Sequence, residues 1–259
     1  MMRGGAAEQS RASSREDAHV VLPVSRFDRN ARVECLDAVV QEVRIEAVVD
    51  GKPAFATTCS PWDIEELVIG RLFFEGIVDD ASILASVRLC GGGVCVEVRL
   101  DRRAEPAHDA CTIIPFDRLP RFSVSARTLG DSVAMLERQS FLFRKTGGVH
   151  SAALVDGNGA VRVWREDIGR HSAIDKVAGW CVLHDVDPSN LMVLFSGRIP
   201  QEIVAKVVAL GCPIIASPGA PTNLSIETAE RAGVTLVGFA KEGRFNVYAH
   251  PERIVEHRA

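Results

Sequence analysis

The sequence predicts an α/β protein: a C-terminal α/β/α sandwich joined to a smaller α+β part made of β-hairpins and a helix. Three observations predict it. From Leu191 onward, strand-length apolar runs alternate with helix patterns. Those helix patterns close on glycine, at Gly211 and Gly233, where a left-handed backbone ends a helix cheaply. Upstream of residue 122, two hairpin patterns instead bracket a single helix pattern. Regular strand–helix alternation implies a largely parallel sheet covered by helices.

Residues 1–20 read as a disordered tail, since Gly4 to Asp17 is small, polar and charged. The N-terminal domain is expected at 21–122. Within it Val43, Ile45, Ala47 and Val49 alternate with polar residues, Asp50-Gly51 supplies a turn, and Phe55 to Cys59 returns as the second strand of a hairpin. Ser60-Pro61-Trp62-Asp63 gives a helix start, with Ser60 as cap, Pro61 at the first helical position and an acid in the first turn. Leu67, Val68, Leu72 and Phe73 line one face of that helix until Gly76. Val87 to Cys90 and Val94 to Leu100 bracket Gly91-Gly92-Gly93 as a second hairpin, and a polar connection leads to Cys111.

The second domain is expected at 123–259. Arg127 to Gln139 has helical spacing, and Thr146 to His150 opens a hairpin that turns at Asp156-Gly157-Asn158-Gly159. Leu191–Phe195 then reads as a strand, Gln201–Leu210 as a helix, Pro213 to Ala216 as a strand and Asn223–Ala232 as a helix. Val234 to Ala240 and Phe245 to Ala249 finish as strands.

At 47% hydrophobic content the 259 residues can bury a substantial core. With 30 basic and 34 acidic residues the net charge is -4, so the whole molecule offers no electrostatic footprint for nucleic acid. No apolar run approaches the roughly 20 residues that span a bilayer, and the N-terminus lacks the apolar core of a signal peptide. A cytoplasmic protein with neither nucleic-acid nor membrane partner is expected. Seven cysteines, an odd number, read as reduced thiols rather than a disulfide framework.

The densest chemistry is Arg165-Glu166-Asp167-Ile168-Gly169-Arg170-His171, five ionisable side chains in seven residues between a strand pattern and a helix pattern. A helix start beside two arginines and a histidine is a natural seat for phosphate; a solvated charged loop is the plainer reading. In an open α/β sheet, ligands bind beyond the carboxyl ends of the strands. The loops Ser196-Gly197-Arg198, Ser217-Pro218-Gly219-Ala220-Pro221-Thr222 and Lys241-Glu242-Gly243-Arg244 leave strands at that edge. With His150, Arg165, Arg170 and His171 they form a candidate cleft for a phosphorylated or nucleotide-like ligand.

Cys111, close to His108, Arg102 and Arg103, is a candidate nucleophile or sulfur carrier, although most single thiols are inert small hydrophobes. Cys90, Cys95, His108 and Cys111 also form a loose zinc-ligand array. Cys35, Cys59, Cys181 and Cys212 sit in apolar or strand contexts and are expected in the core.

Several segments are similar, in order and spacing, to a known family: Thr146 to Ala153, Arg165 to His171 with Ala173-Ile174-Asp175-Lys176, Ser196-Gly197-Arg198, Ala220-Pro221-Thr222, and Gly238-Phe239 followed by Gly243 to Tyr248. Glu65-Glu66-Leu67, Gly70 and Phe74-Glu75-Gly76-Ile77 match its N-terminal helix. The chain thereby resembles the formate dehydrogenase accessory sulfurtransferases (FdhD) from about residue 40 to 254. The resemblance implies a cytidine-deaminase-like C-terminal domain and a homodimer. It implies a protein that takes persulfide sulfur from a cysteine desulfurase and passes it to the molybdenum bis-guanine-dinucleotide cofactor, bound as substrate, for formate dehydrogenase. Cys111 becomes the expected sulfur carrier. A GDP-like nucleotide would be held by His150, Arg165, Asp167, Gly169, Arg170, His171, Ser196, Gly197, Arg198, Ser217, Ala220, Pro221, Thr222, Phe239, Arg244 and Asn246. The alternative is a chaperone that binds the cofactor or a guanine nucleotide without sulfur transfer.

The chain departs from the family pattern in three places. Cys111-Thr112-Ile113-Ile114-Pro115 stands where the family usually has Cys-Gly-x-Cys-Gly, so one loop cysteine remains. Gly219 and Pro200 each replace a usual Ser. A true deaminase is excluded, because the chain has no His-x-Glu paired with Pro-Cys-x-x-Cys to hold a catalytic zinc.

Overall fold

A computed structural model describes residues 18–101 and 122–256. The expected disordered tail lies outside the described residues, apart from its last positions, and so does Cys111.

The first element was not read from the sequence. Strands β1 (His19–Asp28) and β2 (Ala31–Val40) pair antiparallel as a two-stranded arm. Val21, Leu22, Phe27, Val33 and Leu36 are exposed along it. Its root is packed: Ala18 joins Trp62, Leu142 and Val149 in a small apolar cluster, with Val40 against it.

The four-stranded sheet that follows has the order β4-β3-β6-β5. Strands β3 (Val43–Val49) and β4 (Lys52–Cys59) form the expected hairpin, turning at Asp50 and Gly51, both at positive φ. Strand β5 (Leu84–Cys90) pairs antiparallel with β6 (Cys95–Leu100), and β6 lies parallel to β3. Helix α1 (Ile64–Phe74) covers this sheet with Leu67, Val68 and Leu72. It starts later than the Ser60-Pro61 signal. Ser60 is spent elsewhere, its hydroxyl accepting from Ile168 N at 3.1 Å.

Strand β7 (Val124–Ser125) leads into α2 (Ala126–Gln139), capped by the Ser125 side chain, and then α3 (Phe141–Thr146), a short helix the sequence pattern had not shown. The hairpin β8 (His150–Asp156) and β9 (Val161–Asp167) precedes α4 (Arg170–Leu183). Strand β10 (Leu191–Phe195), α5 (Gln201–Leu210), β11 (Ile214–Ala216), α6 (Asn223–Ala232), β12 (Thr235–Lys241) and β13 (Arg244–Ala249) complete the alternation, and β14 (Ile254–Val255) returns to β7.

The second sheet is six-stranded, in the order β13-β12-β11-β10-β8-β9. It is mixed, which corrects the largely parallel expectation: β10, β11 and β12 run parallel, while β8, β9 and β13 join by antiparallel pairing. The reason is local. Short turns at Asp156–Gly159 and Glu242-Gly243 return each chain beside its neighbour, whereas parallel pairing needs a helix-length crossover. Helices cover both faces: Ala152 and Leu154 pack towards α4 and α5, Ala153 and Val155 towards α2.

The two sheets are joined through α1 and α4. Gly70 and Gly179 let the helix backbones meet, since a Cβ on Gly70 would lie 1.8 Å from Asp175 O and one on Gly179 1.8 Å from Glu66 O.

Candidate functional site

The order β11-β10-β8-β9 brings the carboxyl end of β10, the start of β8 and the end of β9 to one edge of the sheet. His150 opens β8 opposite Asp167, so residues far apart in sequence become neighbours there. The loops after β10 and β11 interlock at that edge. Ser217 Oγ donates to Gly197 O at 2.6 Å, Ile199 N to Ala220 O at 2.9 Å, and Phe239 N to Gly219 O at 3.1 Å. Glycine is required at the crossing: a Cβ on Gly219 would stand 2.4 Å from Gly197 O.

Beside these loops lies a cavity of about 310 Å³. Leu136, Phe143, Val149 and Pro218 give it apolar walls, Gly147 and Gly148 an open backbone edge, and His150, Ser140, Ser151 and Ser196 its polar groups. The hydroxyls are ordered from behind. Ser196 Oγ accepts from Ser151 N at 2.8 Å, Ser140 and Ser151 hydroxyls meet at 2.9 Å, and Ser140 donates to the buried Glu166 carboxylate. An apolar slot with a few fixed polar atoms suits a flat, partly polar small molecule.

At the rim stands the start of α4. Gly169 precedes it and, having no side chain, caps none of its first N–H groups, an arrangement that suits an anion. Arg170 is exposed. The His150 ring is half-buried, stacks on Phe195 with centroids 6.4 Å apart, and is held below the usual histidine pKa by burial and by Arg170. His171 is lowered likewise by burial, Lys206 and Arg170. Both imidazoles are therefore neutral near pH 7, with Arg170 a cation near both and Lys206 a second one near His171.

Other residues expected to touch the ligand have internal partners. Arg165 makes a bidentate bond to Glu66, with Nη2 to Oε1 at 2.5 Å, and approaches Asp63 at 3.3 Å. Asp167 is fully buried, paired with Lys176 Nζ at 2.7 Å, and accepts from Ser60 N and Gly169 N. These bonds hold the loop's shape and tie it to the N-terminal hairpin and helix, with Arg170 exposed.

The remaining candidates fall in two groups. Ser196, Gly197, Ser217, Ala220, Pro221 and Thr222 belong to the interlocked loops, although Ser217 is buried and the Thr222 hydroxyl accepts from Ser225 N as the cap of α6. Arg198 is exposed. Phe239 is half exposed at φ 52, a costly conformation for an aromatic residue, and adjoins Gly219. Arg244 and Asn246 lie further along, exposed on β13, where Asn246 Nδ2 donates to Tyr248 Oη at 3.2 Å. Sequence reasoning missed Ser140, Glu166 as their buried anchor, and Phe143. The signal was thin: Ser140 stands between two helices with no apolar period of its own.

Cys59 and Cys181 are core thiols, each pushed up to about 12, chiefly by burial, and Cys212 is buried as well. Cys35 is half-buried on the arm rather than in a core. Among the described residues no cluster of three or more His, Cys, Asp or Glu is placed to hold a metal; His108 and Cys111 of the zinc array lie outside them. Among the described residues, too, no helix is long and apolar enough to cross a membrane.

The chain is similar to known proteins along most of its length. The model of the FdhD/NarQ family matches residues 40–255. It is 30% identical over 261 residues to the sulfur carrier protein FdhD of Staphylococcus aureus strain MRSA252, covering 93% of this chain and 98% of that protein. The same figures hold for the sulfur carrier protein FdhD of strain Newman. A crystal structure of a putative formate dehydrogenase accessory protein from Desulfotalea psychrophila superposes with a TM-score of 0.80 at 26% identity, over 92% of this chain and 100% of that one.

Proposed function

The chain belongs to the FdhD/NarQ family, and from that premise we propose that it is a sulfur carrier serving the maturation of formate dehydrogenase. In this reading a cysteine desulfurase places persulfide sulfur on Cys111, and the sulfur passes to the molybdenum bis-guanine-dinucleotide cofactor held as substrate in the cavity. The C-terminal sheet with helices on both faces is read as cytidine-deaminase-like, used for nucleotide binding rather than deamination.

The observation that carries the reading is one edge of the sheet where a slot and a phosphate seat adjoin. The cavity between Phe143, Val149 and Pro218 is of a size and polarity for a nucleobase. Next to it, Arg170 and the uncapped start of α4 offer charge and N–H groups to phosphates. The neutral His150 and His171 donate or accept hydrogen bonds without adding charge. No resident cofactor is required, because the attacking and leaving sulfurs belong to the thiol and its persulfide.

A second copy of the chain is the proposed cover for the β1–β2 arm. Val21, Leu22 and Val33 lie on its two faces with Phe27 and Leu36, and a two-stranded hairpin is marginal by itself in water.

The test is maturation in cells lacking their own family member. Formate dehydrogenase activity should be restored by the parent and by Cys35→Ser, and not by Cys111→Ala. Restoration by Cys111→Ala would favour the second reading, a cofactor-binding chaperone without sulfur transfer, to which Ile114 in place of the usual second loop cysteine already points.

A further inference from the structure

A second pair of thiols lies outside the cavity. Cys90 ends β5 and Cys95 begins β6, and the two are directly opposed cross-strand partners. Opposed residues in an antiparallel pair have Cα atoms about 4.5–5.5 Å apart, within the roughly 4.4–6.8 Å that a disulfide spans. Cys90 Sγ already reaches the Cys95 backbone, donating to Cys95 O at 3.3 Å.

The pair is also reachable. Both cysteines are half exposed, unlike Cys59, Cys181 and Cys212. The connecting Gly91 and Gly92 are exposed and turn at φ 57 and 71, and nothing stands within 4 Å of a Cβ placed on Gly92. A hairpin that closes on small, unhindered glycines leaves the sulfurs open to a small reagent.

We propose that Cys90 and Cys95 form a dithiol exchange site for the sulfur–sulfur bond of a small thiol-derived molecule, either a disulfide or a persulfide. It does not rest on the sulfur-carrier reading of Cys111. With a disulfide RSSR, the Cys90 thiolate attacks one sulfur and RS⁻ leaves. The Cys95 thiolate then attacks the Cys90 sulfur and expels the second RS⁻. One sulfur–sulfur bond breaks and one forms, the cysteines lose two electrons to the small disulfide, and their protons pass to the leaving thiolates. With a persulfide RSSH, Cys90 takes the terminal sulfur as RS⁻ leaves, and Cys95 expels it as HS⁻, so the sulfane sulfur is reduced to sulfide.

The order of attack follows from the surroundings. The Cys95 thiol is pushed up to about 11, first by its hydrogen bond with Cys90, then by burial, by the charge of Cys90 and by Glu46 and Glu97. Cys90 therefore attacks first. Once bound in a mixed disulfide it carries no charge, and the main hold on the Cys95 proton is gone.

The test uses the full chain under anaerobic conditions, with oxidised glutathione in one arm and glutathione persulfide in the other. After acid quench and alkylation, peptide mass analysis should show the segment containing both cysteines short of two hydrogens and unalkylated, with sulfide released in step in the persulfide arm. Cys95→Ser should instead trap a glutathione adduct on Cys90 in the oxidised-glutathione arm and a persulfide on Cys90 in the persulfide arm. Closure in one arm alone assigns the source. Alkylation at both positions in both arms, or separate adducts on the two thiols, would overturn the proposal.

Discussion

Lys176 Nζ meets the Asp167 carboxylate at 2.7 Å with neither side chain exposed. The same ammonium donates to Glu166 O at 3.2 Å and sits over the Trp62 ring, 5.1 Å from its centroid. One buried cation thus holds the segment that presents Arg170. Replacing it alone strands a buried carboxylate. Lys176→Met is expected to cost about 3–5 kcal/mol in a denaturant titration, and Lys176→Met with Asp167→Asn less than that. A single variant as stable as the parent would deny the pair this role.

The contact of Gly70 with Gly179 makes a second prediction. A methyl at either position meets backbone, which cannot swing away, so α1 and α4 must separate. Gly179→Ala is expected to destabilise by about 1–3 kcal/mol or more, lowering Tm by roughly 2–4 °C per kcal/mol in a chain of this size. An unchanged Tm would show that the helices do not close at this point.

Arg170 lowers the pKa of both His150 and His171, after burial in each case and, for His171, after Lys206. Arg170→Ala should therefore raise both histidine pKa values in an NMR titration. It should also weaken GDP binding by about 1–3 kcal/mol if the lost bond is charge-assisted. Raised pKa values with undiminished binding would move the phosphates elsewhere.

Asp175 titrates at about 6, raised from 3.8 chiefly by burial and held down in part by Lys206. Between those values the folded state keeps a proton the unfolded chain has released. Stability from this group is full below about pH 4 and falls as pH rises through about 6. Relative to Asp175→Asn, the parent should lose stability across that window and then level off. A flat difference would place the titration elsewhere.

The legible parts of the chain were those whose signals are local. Helices α5 and α6 match Gln201–Leu210 and Asn223–Ala232 because Gly211 and Gly233 end them in the left-handed conformation. The edge bearing His150, Ser196 and Arg170 was legible because strand ends and glycine loops mark it. The β1–β2 arm was not, since among the described residues its apolar side chains Val21, Leu22, Phe27, Val33 and Leu36 stay exposed. The roles of Arg165 and Asp167 were hidden for a different reason: their partners Glu66 and Ser60 lie 99 and 107 residues away. Nothing in a seven-residue motif distinguishes a ligand-facing charge from one already paired across the fold.

The most direct measurement is the intact mass of the protein after incubation with a cysteine desulfurase and cysteine, beside Cys111→Ala and a reductant control. Added sulfur that the reductant removes, present on the parent and missing from the variant while both still bind GDP, is the expected result. No sulfur on the parent, or equal sulfur on Cys111→Ala, would contradict sulfur carriage by this thiol.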